Sequence, residues 1–245
     1  MRLNPDFERR GPMHKLTLHA IAKVLDILQK PFLTNEEEDP SNRVLFEFAD
    51  IVNAMPDAKI LEVGSRNVTG ETHKRRNCFH NQAGYTGFDV LAGENVDIVG
   101  DAHELSSYFS ANSYDAVMAS SVFEHLLMPW KVVLEMNIVL KKGGYLYISV
   151  PSIWPPHELP CDFWRYLPNS FDGLLNKYTG FKILKTIEGV PCRVVSLAGD
   201  KGTRNHILYK QNQHVALIAQ KIGDPDQNLK WDVKLQDITS CAYPH

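Results

Sequence analysis

The feature that most constrains this chain is a series of short apolar runs, Lys59–Val63, Tyr85–Asp89, Val96–Val99, Tyr114–Ala119 and Tyr145–Val150, spaced by loops and helix-patterned stretches. The first, fourth and fifth are nearly continuously apolar, as expected of parallel strands covered on both faces. A helix fits Pro129–Leu140, with proline in its first turn and Val132, Val133, Met136 and Val139 on one side. It is expected to stop at Lys141-Lys142-Gly143-Gly144, with cations near its negative end and a glycine free to turn left-handed. Alternation of this kind predicts a doubly wound α/β sheet. Two later runs, Phe181–Ile187 and His214–Ile222, fit an antiparallel pair that finishes it.

Upstream, Leu16, Leu18, Ile21, Val24, Leu25 and Leu28 recur at helical spacing, as do Val44, Leu45, Phe48, Ile51 and Val52. Between them runs Thr34-Asn35-Glu36-Glu37-Glu38-Asp39-Pro40, read as a solvated acidic loop, with Ser41 as the cap of the second helix. The expected organisation is therefore a helical extension over 1–57, a domain over 58–223 with a lid or acceptor loop near 151–170, and a polar tail over 224–245.

At 245 residues, with 44% hydrophobic and 22% charged residues, the chain can bury one sizeable α/β core. Its formal net charge of -3 argues against a nucleic-acid backbone as partner. No apolar run is long enough to span a bilayer, and the first residues lack the apolar stretch of a secretory signal. Cys78, Cys161, Cys192 and Cys241 are scattered, without a C-x-x-C pair. Reduced thiols and a cytoplasmic setting are the expectation.

In an open α/β sheet, ligands bind beyond the carboxyl ends of the strands, near the point where strand order reverses. Glu62 and Gly64 end the first strand, Asp89 the second, Asp101 follows the third, and Ser120 and Ser121 follow the fourth. Asp89 lies 27 residues after Glu62, close to the spacing at which a carboxylate accepts ribose hydroxyls. A dinucleotide would demand G-x-G-x-x-G so that backbone can crowd a pyrophosphate. Here the loop reads Gly64-Ser65-Arg66-Asn67-Val68-Thr69-Gly70, which suits a nucleoside cofactor without phosphate. A cofactor carrying an ammonium, a sulfonium and a carboxylate would place its cations near Glu62 and its carboxylate near backbone N–H groups or Arg66.

The chain resembles the class I S-adenosylmethionine-dependent methyltransferases, specifically the type 11 subgroup often found among glycan-biosynthesis enzymes. The resemblance rests on Lys59–Arg66, Tyr85–Val90, Val96–His103, Ser120–Leu126, Val139–Gly144 and Pro156–Arg165, in that order. It implies a Rossmann-like sheet of seven strands, mostly parallel with an antiparallel C-terminal strand, and S-adenosylmethionine as cofactor. It also implies that Glu62 and Gly64 line the methionine end, Asp89 holds the ribose, Asp101 and Ala102 meet the adenine, and Ser120 closes the pocket. Ser65, Arg66, Val90 and His103 belong to the same expected set. The chain departs from the E-x-G-x-G-x-G of many relatives by keeping only the first glycine.

Methyl transfer is an in-line displacement, so the protein mainly aligns the reactants. A hydroxyl acceptor also benefits from a general base, worth about 10²–10⁴-fold. His125, just past the fourth strand, and the loop pair His157 and Asp162 are the catalytic candidates, with His103 behind them. Trp154, His157, Trp164, Arg165 and Tyr166 are candidates for holding a sugar or small hydroxylated acceptor. The alternatives are a small-molecule N-methyltransferase and a cofactor-binding protein that does not turn over. His157, Glu158 and Asp162 could share a cation, but no spacing resembles a defined cage, so no metal is expected. Lys74, Arg75 and Arg76 with His73 read as a solvated basic face.

Overall fold

A computed structural model describes residues 39–68, 75–80, 82–196, 200, 202–203 and 205–229, with positions 20–24, 27 and 30 ahead of them. Most of the first amphipathic segment and of the acidic loop, together with His73, Lys74 and the tail beyond residue 229, lie outside the described residues. Helix α1 is Pro40–Asn53; strands β1, β2 and β3 are Ala58–Val63, Gln82–Asp89 and Ile98–Val99. A 3₁₀ turn at Ala102–Glu104 leads into α2, Leu105–Tyr108, and β4 is Tyr114–Ser120. After a 3₁₀ turn at Phe123–His125 come α3, Pro129–Val139, β5, Leu140–Pro151, α4, Ser170–Leu174, β6, Phe181–Cys192, and β7, Gln211–Lys221.

The seven strands form one sheet in the order β3-β2-β1-β4-β5-β7-β6. All neighbours are parallel except β7, which runs antiparallel to both β5 and β6. This is the expected mostly parallel α/β sheet. Strand order reverses between β1 and β4, which puts the loops after those strands beside the natural ligand crevice.

Period-two alternation sorts each strand between two cores. Leu61, Val63, Val117, Ala119, Leu146 and Ile148 pack with α3 on one face. Ile60, Ala116, Met118 and Tyr147 pack with Val44, Phe48 and Val52 of α1 on the other. Helix α1 therefore shares the sheet's core, and the boundary expected at residue 58 falls inside a packed unit.

Three local expectations change. The cap of α1 is Asp39, whose carboxylate accepts from the Ser41 backbone N–H at 2.9 Å and the Ser41 hydroxyl at 2.5 Å, while Ser41 lies inside the helix. Asp39 also accepts from the Val190 N–H, so it is a buried tie between α1 and β6, not part of a solvated loop. Burial alone would raise the Asp39 pKa, but these hydrogen bonds bring it below the ordinary carboxylate value. Helix α3 ends at Val139, and its last carbonyls are met by the buried Lys221 of β7, whose Nζ donates to Asn137 O at 2.8 Å and Leu140 O at 2.9 Å. The expected Lys141 instead pairs with Asp115 at 2.8 Å, and Gly143 takes φ +84° within the span of β5 rather than closing the helix. Helix α4 stops at Leu174. Asn176 donates back to Asp172 O and Gly173 O there and ends the turn.

Candidate active site

A cavity of about 970 Å³ opens at the carboxyl edge of the sheet, across the reversal of strand order. Its size is at the upper end for small-molecule and cofactor sites. Loops from both halves line it, and they are held in different ways.

On the β1–β3 side the backbone sets the shape. Gly64 has φ +75°, and a Cβ there would sit 2.1 Å from Val122 Cγ2, so only glycine lets the β1 loop pass the β4 loop. The N–H groups of Gly64 and Ser65 donate to Phe88 O at 2.8 and 3.1 Å. Asp89 accepts from the backbone N–H of Arg66 at 3.1 Å and of Leu91 at 3.0 Å, with Arg66 Nε 3.7 Å away. Each carboxylate oxygen keeps lone-pair capacity beyond those bonds, and Asp89 lines the cavity. Side chains replace the absent glycines: Asn67 donates to Glu94 at 2.9 Å, and Asn95 donates to Ser65 O at 3.1 Å.

Gly64, Arg66, Asp89, Val90, Asp101, Ala102, His103 and Ser120 all border the cavity, so most of the expected cofactor set converges. Glu62 and Ser65 do not. Alternation turns Glu62 to the α1 face, where it is fully buried and accepts from Arg75 Nε at 3.1 Å and Tyr85 Oη at 2.7 Å. Burial raises its pKa and Arg75 opposes that. Arg75 itself reaches the cavity wall, so Glu62 acts on the site through the guanidinium. Arg76 lies over the Tyr85 ring at 4.8 Å and donates to Asn95 at 3.0 Å. The expected solvated basic face is thus, in its described part, an internal network. Ser65 is buried beneath the loop.

His103 is locked. Its Nε2 accepts from the Met128 N–H at 3.2 Å, so Nδ1 carries the proton and donates to Asp101 Oδ1 at 2.7 Å. An imidazole engaged at both nitrogens is a poor proton acceptor, which removes it as a base.

On the opposite side, the loop from Pro151 to Tyr166 is stapled onto the Phe123–His125 turn. Glu124 O accepts from the N–H groups of Phe163 at 2.8 Å and Trp164 at 3.1 Å. Trp164 Nε1 donates to Leu126 O at 2.8 Å, and Tyr166 Oη donates to Phe123 O at 3.1 Å. Asp162 takes two bonds from Arg165, at 2.6 and 2.8 Å, and accepts from the His157 N–H at 2.9 Å. The Arg165 hydrogen bonds hold the Asp162 carboxyl well below the usual carboxylate range. The Leu159–Pro160 peptide is cis.

These staples correct part of the expected acceptor set. Trp154 and His157 line the cavity, together with Phe163 and Cys161, whereas Asp162, Trp164, Arg165 and Tyr166 are absent from its wall. Their polar groups are spent on anchoring the loop, and Tyr166 is buried and stacked on Phe171. Asp162 is an anchor with its charge already paired, so its place does not suit a proton acceptor.

What the loop brings together is His125, His157 and a residue the sequence reading passed over, Glu124. The two imidazole rings are 4.7 Å apart at 77°. His125 Nδ1 meets Cys161 O at 2.6 Å and His157 Nδ1 meets Pro155 O at 3.2 Å. A carbonyl can only accept, so in both neutral rings Nε2 is left as the acceptor. Glu124 is fully buried, borders the cavity, and neither carboxylate oxygen reaches another residue's donor among the described residues. Burial pushes its pKa up to about 7. The only signal for Glu124 in the sequence was its place beside His125; its isolation depends on the loop that covers it.

Residues 75–148 match the family model described as "Methyltransferase domain". No curated protein matches the chain. Among solved structures, it is similar to a SAM-dependent methyltransferase from Archaeoglobus fulgidus, at 18% identity and a TM-score of 0.55, over 80% of this chain and 99% of that one. It is also similar to a putative methyltransferase from Bacillus halodurans, at 14% identity and a TM-score of 0.51, over 73% and 98%. A third is the Burkholderia thailandensis 1,6-didemethyltoxoflavin-N1-methyltransferase with bound 1,6-didemethyltoxoflavin and S-adenosylhomocysteine, at 11% identity and a TM-score of 0.52, over 87% and 92%. The chain thus shares the Rossmann-like fold of these structures, and its residues 75–148 are similar to a methyltransferase domain. No helix among the described residues is long and apolar enough to cross a membrane.

Proposed function

We propose that this chain transfers the methyl group of S-adenosylmethionine to a hydroxyl of a sugar or other small hydroxylated metabolite. The cofactor fits the donors present. Asp89 offers its carboxylate to vicinal hydroxyls, Asp101 and the Ala102 backbone face an adenine edge, and the Arg66 guanidinium suits a carboxylate. Val90 and Leu91 add apolar surface beside them. The absence of a glycine-rich cradle, with Ser65 and Asn95 tying the loop instead, suits a cofactor that has no pyrophosphate. When bound, S-adenosylmethionine supplies a methyl already activated by its sulfonium.

The observation that carries the choice of acceptor is the convergence of Glu124, His125 and His157 at the far end of the cavity. Three hydrogen-bond acceptors in one half-buried place suit a group that must lose a proton. An uncharged amine would need no such help. Trp154 and Phe163 offer apolar ring surface alongside, which suits the C–H face of a sugar. The stapled loop holds these groups in fixed register and limits access of water, so binding is spent on alignment.

The test is incubation with methyl-labelled S-adenosylmethionine and a panel of sugars, phenols and amines, read by mass spectrometry. Label on oxygen, lost in His125→Asn, supports the reading. Label on amines alone overturns the hydroxyl assignment, and cofactor binding without transfer to any acceptor overturns the enzymatic one.

A further inference from the structure

The geometry points to a divalent metal site at the acceptor end of the cavity, built from Glu124, His125 and His157 and taking a first-row transition metal ion. It deepens the proposed function and rests on it. One ligand atom from each residue lies within 4.8 Å of the others, and His125 Nε2 is 3.9 Å from Glu124 Oε1. A shared cation requires these atoms to draw somewhat closer by side-chain rotation.

Three independent features support a cation over a bare polar cluster. First, both histidines donate Nδ1–H to backbone carbonyls, Cys161 O and Pro155 O. That is the outer-shell arrangement which fixes a metal-binding imidazole and turns Nε2 to the ion. Second, Glu124 borders the cavity and its buried carboxylate has no donor among the described residues, and burying such a charge unpaired is costly. Third, Arg165, the cation whose charge bears on Glu124, has no N–H left to donate to it. All five N–H groups of Arg165 are engaged: two on Asp162, and one each on Trp154 O, Trp164 O and Pro155 O. An ion bound by Glu124 satisfies the carboxylate and both Nε2 atoms at once.

The ligand types select the metal class. Two imidazoles and one carboxylate favour zinc, iron or cobalt over magnesium or calcium, which prefer all-oxygen shells. Three protein ligands leave a coordination position open toward the cavity, where an acceptor hydroxyl can bind. The ion then acidifies the hydroxyl, whose proton passes to water. Its oxygen takes the methyl group as the electron pair of the carbon–sulfur bond stays with sulfur. The ligands come from two segments, the turn after β4 and the loop after β5, so no short spacing in the sequence announces the site.

The experiment is metal titration of chelator-stripped full-length protein with Zn²⁺ and Co²⁺ alone, read by bound-metal stoichiometry and by the visible spectrum of Co²⁺. S-adenosylhomocysteine affinity is measured on the same samples. The expected result is one equivalent of metal, with affinity reduced more than about 100-fold in Glu124→Gln, beyond the 10–100-fold typical of losing an outer-shell partner. His157→Gln, in the loop, is expected to weaken binding likewise, and it serves if Glu124→Gln does not fold. Absence of a stoichiometric site, or equal affinity in a folded variant, overturns the metal site while leaving the methyltransferase reading intact. Failure of the wild-type protein to bind S-adenosylhomocysteine overturns that reading instead.

Discussion

The two sides of the cavity are built on opposite principles. The β1–β3 side is made of strand ends and backbone: a left-handed glycine, two N–H groups on Phe88 O, and a carboxylate holding the N–H groups of Arg66 and Leu91. The acceptor side is made of side chains reaching backbone carbonyls across about forty residues of sequence, as Trp164 does to Leu126 and Tyr166 to Phe123. The first arrangement follows from local sequence once a strand is recognised. The second exists only after the loop has docked. A cofactor shared across a fold can be held by the first, while a particular acceptor calls for the second.

This contrast predicts separable defects. Asp162→Ala removes the partner of Arg165 and the acceptor for the His157 N–H, so the acceptor loop loosens. Breaking such a pair costs about 3 kcal/mol when one charge is left behind. The acceptor KM should rise about 100-fold while the affinity for S-adenosylhomocysteine is unchanged; equal loss of both would mean that the two sides are one unit. Gly64→Ala strikes the other side, through the positive φ and the contact with Val122. Left-handed strain of about 1–2 kcal/mol, plus displacement of Val122, should weaken the cofactor at least about tenfold in calorimetry and leave the loop intact.

Trp164→Phe keeps the ring and deletes the hydrogen bond to Leu126 O, worth about 1 kcal/mol. A several-fold fall in kcat/KM, with unchanged cofactor binding, is expected from steady-state kinetics. Asp39→Ala lies outside both sides. It should lower thermal stability by about 1 kcal/mol through loss of the α1 cap and the tie to Val190, without altering either ligand.

A pH series sharpens the role of Asp162. Its folded-state pKa is depressed below its unfolded value near 4, so its pairing stabilises the fold above about pH 4 and is lost as pH falls below it. Melting temperatures of wild type and Asp162→Asn should therefore differ most above pH 4 and converge in stronger acid. A constant gap would show that the carboxylate charge is not what holds the loop.

The sheet, its antiparallel finish and much of the cavity rim were legible because strand ends, glycine and acidic spacing are local signals. The exceptions share a cause. Glu62 was placed at the cavity from its proximity to Gly64, but the two-residue period of a strand turns it to the opposite core. Lys141 was expected to close α3, yet a lysine eighty residues later does so, because tertiary packing supplies a better-buried cation. Asp39 looked solvated in an acidic run and is buried, since only the fold brings Val190 to it. At the acceptor loop, composition gave the right residue types with the wrong division of labour. Asp162 and Arg165 spend their polar atoms within the loop, and Trp164 and Tyr166 spend theirs on Leu126 O and Phe123 O, leaving His157 and the unmarked Glu124 to border the cavity.

The most direct test of the account is calorimetric titration of S-adenosylmethionine into wild-type protein and Asp89→Ala. Asp89 lines the cavity, and its loss removes the proposed partner of the ribose hydroxyls. One saturable site in the wild type, weakened at least about 30-fold in the variant, is the predicted result, corresponding to about 2 kcal/mol for hydrogen bonds to a charged acceptor. Equal affinity in both proteins would contradict the assignment of the cofactor to the β1–β4 crevice.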